Sequence, residues 1–204
     1  MQNEEALQLS KIVVGLLLVL AGVIFATVRV VQSLSEQKAQ TQLLQEREHL
    51  LYTDALTGFY NRNHFSHRAE ALRAGHYPQA VLVADLNNLK RVNDTLGHAA
   101  GDALIVAFAL ALREQFPGAK LFRMGGDEFL VLVDGMSEAQ LVEAIRQLQD
   151  RCTRPVEGGA VPSAAIGYAI RYGDGDGLDA AIAAADARMY HAKTQIGGRR
   201  ASDA

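Results

Sequence analysis

The chain has 204 residues, room for one ordinary domain and something small. Hydrophobic residues make up 49% and charged residues 21%, which excludes a disordered chain, and a net charge of −3 offers no basic excess for a nucleic-acid partner. A single cysteine, Cys152, excludes an intrachain disulfide and a cysteine zinc cluster, and it fits a reducing compartment.

Residues 1–11 read as an N-terminal tail and residues 12–31 as one transmembrane helix. Ile12 to Val28 (IVVGLLLVLAGVIFATV) carries no charge. Extension through Arg29, whose long stem snorkels, to Val31 gives about 30 Å of helix, the thickness of the hydrocarbon layer. The preceding MQNEEALQLSK holds two Glu and one Lys, a poor start for a cleaved signal peptide. Lys11 alone precedes the uncharged run Ile12 to Val28, whereas Arg29, Lys38 and Arg47 follow it. The positive-inside rule therefore puts the rest of the chain in the cytoplasm, as a single-pass protein of an inner or plasma membrane with the lipid bilayer as partner. About eleven residues beyond the membrane are too few for a folded sensor. A signal would enter through an unidentified sensor partner, the membrane or the next segment. Residues 32–52 form a helical stalk without Gly or Pro. Leu43, Leu44, Leu50 and Leu51 repeat at seven-residue spacing, which suits either a parallel coiled coil or a lone solvated linker helix.

From Thr53 to residue 204 helices and strands alternate, as in one α/β (α+β) domain. Asn61 to Ala74 reads as an amphipathic helix. Gln79 to Ala84 (QAVLVA) is a strand buried on both faces that ends on Asp85. Asp102 to Gln115 is an Ala- and Leu-rich helix. Lys120 to Met124 and Asp127 to Val133 are strands joined by Gly125-Gly126. Ser137 caps a helix running to Arg151. Val161 to Tyr172 is a strand region, and Leu178 to Lys193 is a last helix. The tight hairpin makes the sheet at least partly antiparallel.

Two acidic positions point to chemistry. A buried strand ending in Asp85 holds a carboxylate at a sheet edge, where a divalent cation or a turn would use it. In Arg123-Met124-Gly125-Gly126-Asp127-Glu128-Phe129, two glycines suit a type I′ turn, with Arg123 facing Glu128 as a cross-strand pair. Such a turn also leaves bare backbone that a phosphate or base approaches closely. If Asp85 and Asp127 lie on neighbouring strands, they share Mg²⁺, which takes few carboxylates plus substrate phosphates.

These residues resemble the diguanylate cyclase family. Gly125 to Phe129 is its GGDEF signature. DALTGFYNRNHF (Asp54 to Phe65), DLNNLKRVNDTLGHAAGD (Asp85 to Asp102) and DARMYHAK (Asp186 to Lys193) resemble its other blocks, in the right order and spacing. The resemblance implies a fold like the palm of adenylyl cyclases and polymerases, a mostly antiparallel sheet flanked by helices. It implies condensation of two GTP into cyclic di-GMP and two pyrophosphates, across a homodimer of half-sites. Asp85, the Leu86 carbonyl and Asp127 would bind Mg²⁺, with Mn²⁺ as a substitute. Asp127 would be the general base and Glu128 auxiliary. Asn93 and Asp102 would read the guanine edge, with His98 nearby. The backbone of Asn88 and Leu89, the Lys90 ammonium, the bare Gly125-Gly126 backbone and Lys193 would hold phosphates.

The chain departs from the family pattern at three places. Asn87 replaces a second Asp, which removes charge beside the metals. The segment after Lys193 is one residue longer, so Arg199 or Arg200 would stand in for a phosphate-binding Arg. An inhibitory product site would need Arg and Asp where Phe116 and Ala119 stand. These departures keep open an alternative, a catalytically weak GTP-binding module that regulates through partners. His64 and His67 read as surface histidines and Cys152 as filler.

Overall fold

The structure is a computed structural model; it describes residues 2–74, 76–152, 155, 159–173 and 175–202, with side chains at 11, 13–44, 47–74, 76–152, 155, 159–173 and 175–194. The chain divides into two compact units, Met1–His49 and Leu50–Ala204. The first is one long helix, α1 (Gln2–Tyr52), whose last residues belong to the second unit. Its apolar stretch reaches a mean hydropathy of 2.5, so by length and composition α1 is able to cross a membrane.

The second unit is a five-stranded sheet with helices on both faces. Its elements are β1 (Tyr60–Asn61), α2 (Arg62–His67), α3 (Ala69–Arg73), β2 (Gln79–Leu86), α4 (Leu89–Leu96), α5 (His98–Gln115), β3 (Lys120–Gly125), β4 (Glu128–Asp134), α6 (Glu138–Arg151), β5 (Ala164–Arg171) and α7 (Leu178–Ser202). The strand order is β1-β3-β4-β2-β5. Among the described residues β1 pairs with β3 in parallel and the other pairings are antiparallel, as expected.

β2 lies between β4 and β5 and is buried on both sides. Successive side chains of a strand point to opposite faces. Ala80, Leu82, Ala84 and Leu86 pack with Phe108, Leu112, Leu141 and Leu148 of α5 and α6. Val81 and Val83 pack with Leu178, Ala181 and Ala185 of α7. By the same alternation Asp85 belongs to the α7 face. α6 begins as expected: Ser137 and Gln140 exchange side-chain hydrogen bonds with each other's backbone in a capping box.

Several expectations are corrected. The helix expected over Asn61 to Ala74 is two short helices, because Arg68 leaves helical geometry (φ −100°, ψ 8°) and its N–H turns back to the His64 and Ser66 carbonyls. β2 runs two residues further than expected, so Asp85 lies inside the strand. α4, a short amphipathic helix with Leu89, Val92 and Leu96 at helical spacing, adds to the expected elements. α5 starts at His98, which puts Asp102 within the helix rather than at its start. β5 starts at Ala164, and α7 continues past Lys193 to Ser202.

α7 lies directly on β5. A Cβ on Gly167 would overlap the Ala185 carbonyl oxygen and the Met189 backbone nitrogen. Helix backbone has no rotamer with which to retreat, so α7 itself would have to move. Gly167→Ala is therefore expected to cost about 3 kcal/mol, the upper part of the usual overpacking range. Chemical denaturation of the folded chain measures it, and an unchanged midpoint with unchanged slope would contradict the close approach.

Candidate active site at the sheet end

Asp85 on β2 pairs in register with Glu128 on β4. Asp85 is 7% exposed. Asp127 sits in the turn just before β4, where its backbone carbonyl accepts a hydrogen bond from the Leu86 N–H at 3.0 Å. That bond brings the residue expected as a second metal ligand beside the first. α7 lays Lys193 over the same spot: its Nζ donates to Asp85 Oδ1 at 2.7 Å. Burial pushes the Asp85 carboxyl above the ordinary 3.8, the negative charges of Asp127 and Asp186 add to it, and Lys193 opposes it without cancelling it. Asp186 also lines a small cavity of about 170 Å³ with Arg62, Val83, Glu128, Ile182 and Met189.

The hairpin differs from the expected type I′ turn. Gly125 is a strand residue that pairs with Glu128, so the turn residues are Gly126 and Asp127. Of these only Gly126 has positive φ, at 36°. The register shifts between Arg123 and Gly125, which sets Arg123 opposite Phe129 rather than Glu128. A one-residue slip moves a side chain to the other face, so the expected Arg123–Glu128 pair does not form. Arg123 instead clamps the turn. Its Nη2 donates to the Gly126 carbonyl at 2.7 Å, and its Nη1 lies 3.1 Å from both carboxylate oxygens of Asp54. Burial pushes the Asp54 carboxyl up, but hydrogen bonds from Thr57 and Arg123 outweigh it and hold the group below its ordinary value. Glu128 meets Arg62 at 3.5 Å, an exposed pair, and Arg62 Nε donates to the Met124 carbonyl at 2.9 Å.

Of the expected base- and phosphate-binding residues, Asn88, Leu89, Lys90 and Asn93 lie at or in α4. Asn88 adopts a left-handed conformation (φ 62°) that an asparagine tolerates, and it starts α4 two residues beyond Leu86. Leu89 and Lys90 form the helix's first turn, and Lys90 is exposed. A helix start offers backbone N–H groups to an anion. Asn87 is buried; its amide donates to Ser163 Oγ at 2.9 Å, so its side chain is used in holding the chain before β5. Asn93 lies in the last turn of α4 and Asp102 in the second turn of α5, with exposed His98 opening α5. The Arg199 and Arg200 side chains lie outside the described residues.

Three groups at the site were not singled out from sequence: Arg62, the Arg123–Asp54 clamp and Asp186. Arg62 and Asp54 stand in the first motif block and Asp186 in the last, but only the packed sheet and α7 bring them to the hairpin. His64 is not a plain surface histidine. It stacks on Tyr60 with ring centres 3.9 Å apart and meets Tyr52 edge-on. Cys152 is half-buried, and burial pushes its thiol up to about 11, consistent with filler.

Among the described residues no group of three or more His, Cys, Asp or Glu is placed to hold a metal ion. The expected set is smaller, two carboxylates and a carbonyl. Its chemistry fits a hard cation: Asp85 already holds the positive charge of Lys193, and Asp127 lies close enough to raise its pKa.

Fold and site together define a mixed α/β domain with paired acids at one end of a mostly antiparallel sheet, beside a glycine turn. The sequence profile described as "Diguanylate cyclase, GGDEF domain" matches residues 51–199, and the chain belongs to this family. It is 37% identical over 162 residues to the diguanylate cyclase TpbB of Pseudomonas aeruginosa, covering 74% of this chain and 37% of TpbB. It is 34% identical over 167 residues to the response regulator PleD of Caulobacter vibrioides, covering 74% of this chain and 36% of PleD. The chain thus spans little more than a third of the length of either relative. The crystal structure of the coiled coil and GGDEF domain of DgcB from Caulobacter crescentus, in complex with c-di-GMP, matches with a TM-score of 0.71 at 23% identity, covering 82% of this chain and 93% of that one. At that identity the likeness speaks for the fold.

Lys193→Met is expected to raise the Asp85 carboxyl further, since burial, Asp127 and Asp186 then act unopposed. A carboxyl held above its ordinary value contributes stability that is present below about 3.8 and lost as pH rises through the folded value. The variant should therefore lose more stability than the parent between acid and neutral pH. The Asp85 carboxyl ¹³C shift followed against pH reads the midpoint, and equal midpoints in the two proteins would contradict the pairing.

Proposed function

We propose that the chain is a membrane-anchored diguanylate cyclase that condenses two GTP into cyclic di-GMP and two pyrophosphates. Its parts would be a tail over 1–11, an anchor over 12–31, a stalk over 32–52 and a catalytic domain over 53–204 on the cytoplasmic face. The observation that carries the reading is the meeting of Asp85, Asp127 and Lys193 at the glycine turn of a chain that belongs to this family. The apolar length of α1 supports the anchor.

Each half-site would hold one GTP, and a second subunit would face it with another. The 3′-oxygen of each GTP attacks the α-phosphorus of the other. One P–O bond forms and the bond to the β-phosphate oxygen breaks, releasing pyrophosphate. Asp127 takes the proton of the attacking hydroxyl, with Glu128 close by as an auxiliary acid. Asp85, the Leu86 carbonyl and Asp127 would hold Mg²⁺, or Mn²⁺ in its place, whose charge would neutralise the phosphates. Lys90 and the first N–H groups of α4, around Asn88 and Leu89, would grip the phosphates, and the turn glycines would let them approach. Lys193 lies where it would exchange Asp85 for a phosphate oxygen. Asp102 would accept from the guanine N1–H and N2–H₂, with the Asn93 amide beside it. Groups of that kind reject the wrong base strongly, because it leaves them unpaired. Arg199 would reach the phosphates from the end of α7. The signal would enter from an unidentified sensor partner, the bilayer or the stalk.

The test is incubation of the detergent-purified chain with GTP and Mg²⁺, followed by chromatography for cyclic di-GMP. Product is expected, with a rate per subunit that rises with protein concentration, because one half-site does not close a two-nucleotide ring. Asp127→Ala should lower that rate by about 10²-fold or more while the domain stays folded. Undiminished activity in the folded variant would remove Asp127 from the chemistry.

A further inference from the structure

We propose that Gly101 is a positioning residue for base recognition: its missing side chain leaves the seat on which the Asn93 carboxamide rests. The inference deepens the proposed function and rests on Asn93 and Asp102 reading the guanine edge.

α4 and α5 form a tight helix pair joined at Gly97, whose φ of 87° breaks the helix. The Gly97 N–H donates to the Asn93 backbone carbonyl at 3.0 Å, so the backbone of Asn93 is fixed at the joint. Gly101 lies one turn into α5, buried, directly before exposed Asp102. A Cβ built on Gly101 would overlap Asn93 Oδ1, with Asn93 Cγ at 2.9 Å and Leu89 Cδ1 at 3.2 Å. The Asn93 carboxamide therefore points its oxygen at Gly101, into the space a side chain there would fill.

Gly101 has ordinary helical backbone; positive φ is found at Gly97 and Gly126, not here. Alanine would suit a helix interior better than glycine, which normally weakens it. What the site gains from glycine is room for Asn93. The neighbouring Asp102 then shares one rigid reference with that amide, and two groups that read one base edge need fixed spacing. A methyl at position 101 would meet the far end of a flexible side chain. Asn93 would swing away at small cost to the fold, and base recognition would suffer more than stability.

The test is a double-mutant cycle on the full chain in detergent micelles. The parent, Gly101→Ala, Asn93→Ala and the double variant are titrated by calorimetry with guanosine 5′-(α,β-methylene)triphosphate and Mg²⁺. Gly101→Ala is expected to weaken binding about tenfold when Asn93 is present, and less than twofold in the Asn93→Ala background. The thermal midpoint should move little. A Gly101→Ala chain that unfolds while the double variant folds would support the same steric pairing. Equal weakening in both backgrounds, or unfolding in both, would overturn the role of Gly101. An Asn93→Ala chain that binds as tightly as the parent would instead overturn the guanine-reading role of Asn93, a different failure.

Discussion

The site depends on one close approach, the backbone of α7 lying on β5 at Gly167. Val83 of β2 pairs with Gly167 across the sheet, two residues before Asp85. Ala185 is wholly buried at this contact. The contact fixes the height and rotation of α7, and with them two charged residues of opposite effect. Asp186 follows Ala185 directly, and Lys193 lies two turns further along the same helix. One adds negative charge around Asp85 and the other offsets it. A bulkier residue at position 167 would displace both.

The sheet end is built to tolerate crowded acids. Asp127 and Asp186 lie close enough to Asp85 to push its carboxyl up, and a buried carboxylate near other acids is costly without a cation. Lys193 supplies one at 2.7 Å. The turn that carries Asp127 is held independently, by Arg123 bridging the Gly126 carbonyl and Asp54. Asp54 opens the domain just after α1, so this guanidinium ties the chain's entry into the sheet to the turn. A half-buried pair of this kind matters because removing one partner strands the other.

The general fold was legible because it rests on local patterns. The apolar run of β2, the Ser137 cap of α6 and the glycine turn each report their own structure. The motif residues likewise grouped Asp85, Asp127 and Lys193, and the fold brings Lys193 onto Asp85. Pairing within the hairpin was not legible. A bulge between Arg123 and Gly125 changes which residues face each other, and nothing in RMGGDEF distinguishes a bulged turn from a regular one. α4 is only two turns long; Leu89, Val92 and Leu96 do recur at helical spacing, but three apolar residues in eight are too short a pattern to mark a helix by themselves. The partners of Arg123 and Glu128 come from Asp54 and Arg62, more than sixty positions away, and distance of that kind is set by packing alone. The seat of Asn93 on Gly101 is hidden for the same reason: a sequence does not show which helix face receives a side chain.

The most direct measurement is a crystal structure of the chain with guanosine 5′-(α,β-methylene)triphosphate and Mg²⁺. Density is expected for the cation beside Asp85 and Asp127, with the Lys193 ammonium moved from Asp85 to a phosphate oxygen and the guanine edge against Asn93 and Asp102. A nucleotide bound elsewhere, with the Lys193–Asp85 pair intact, would contradict this.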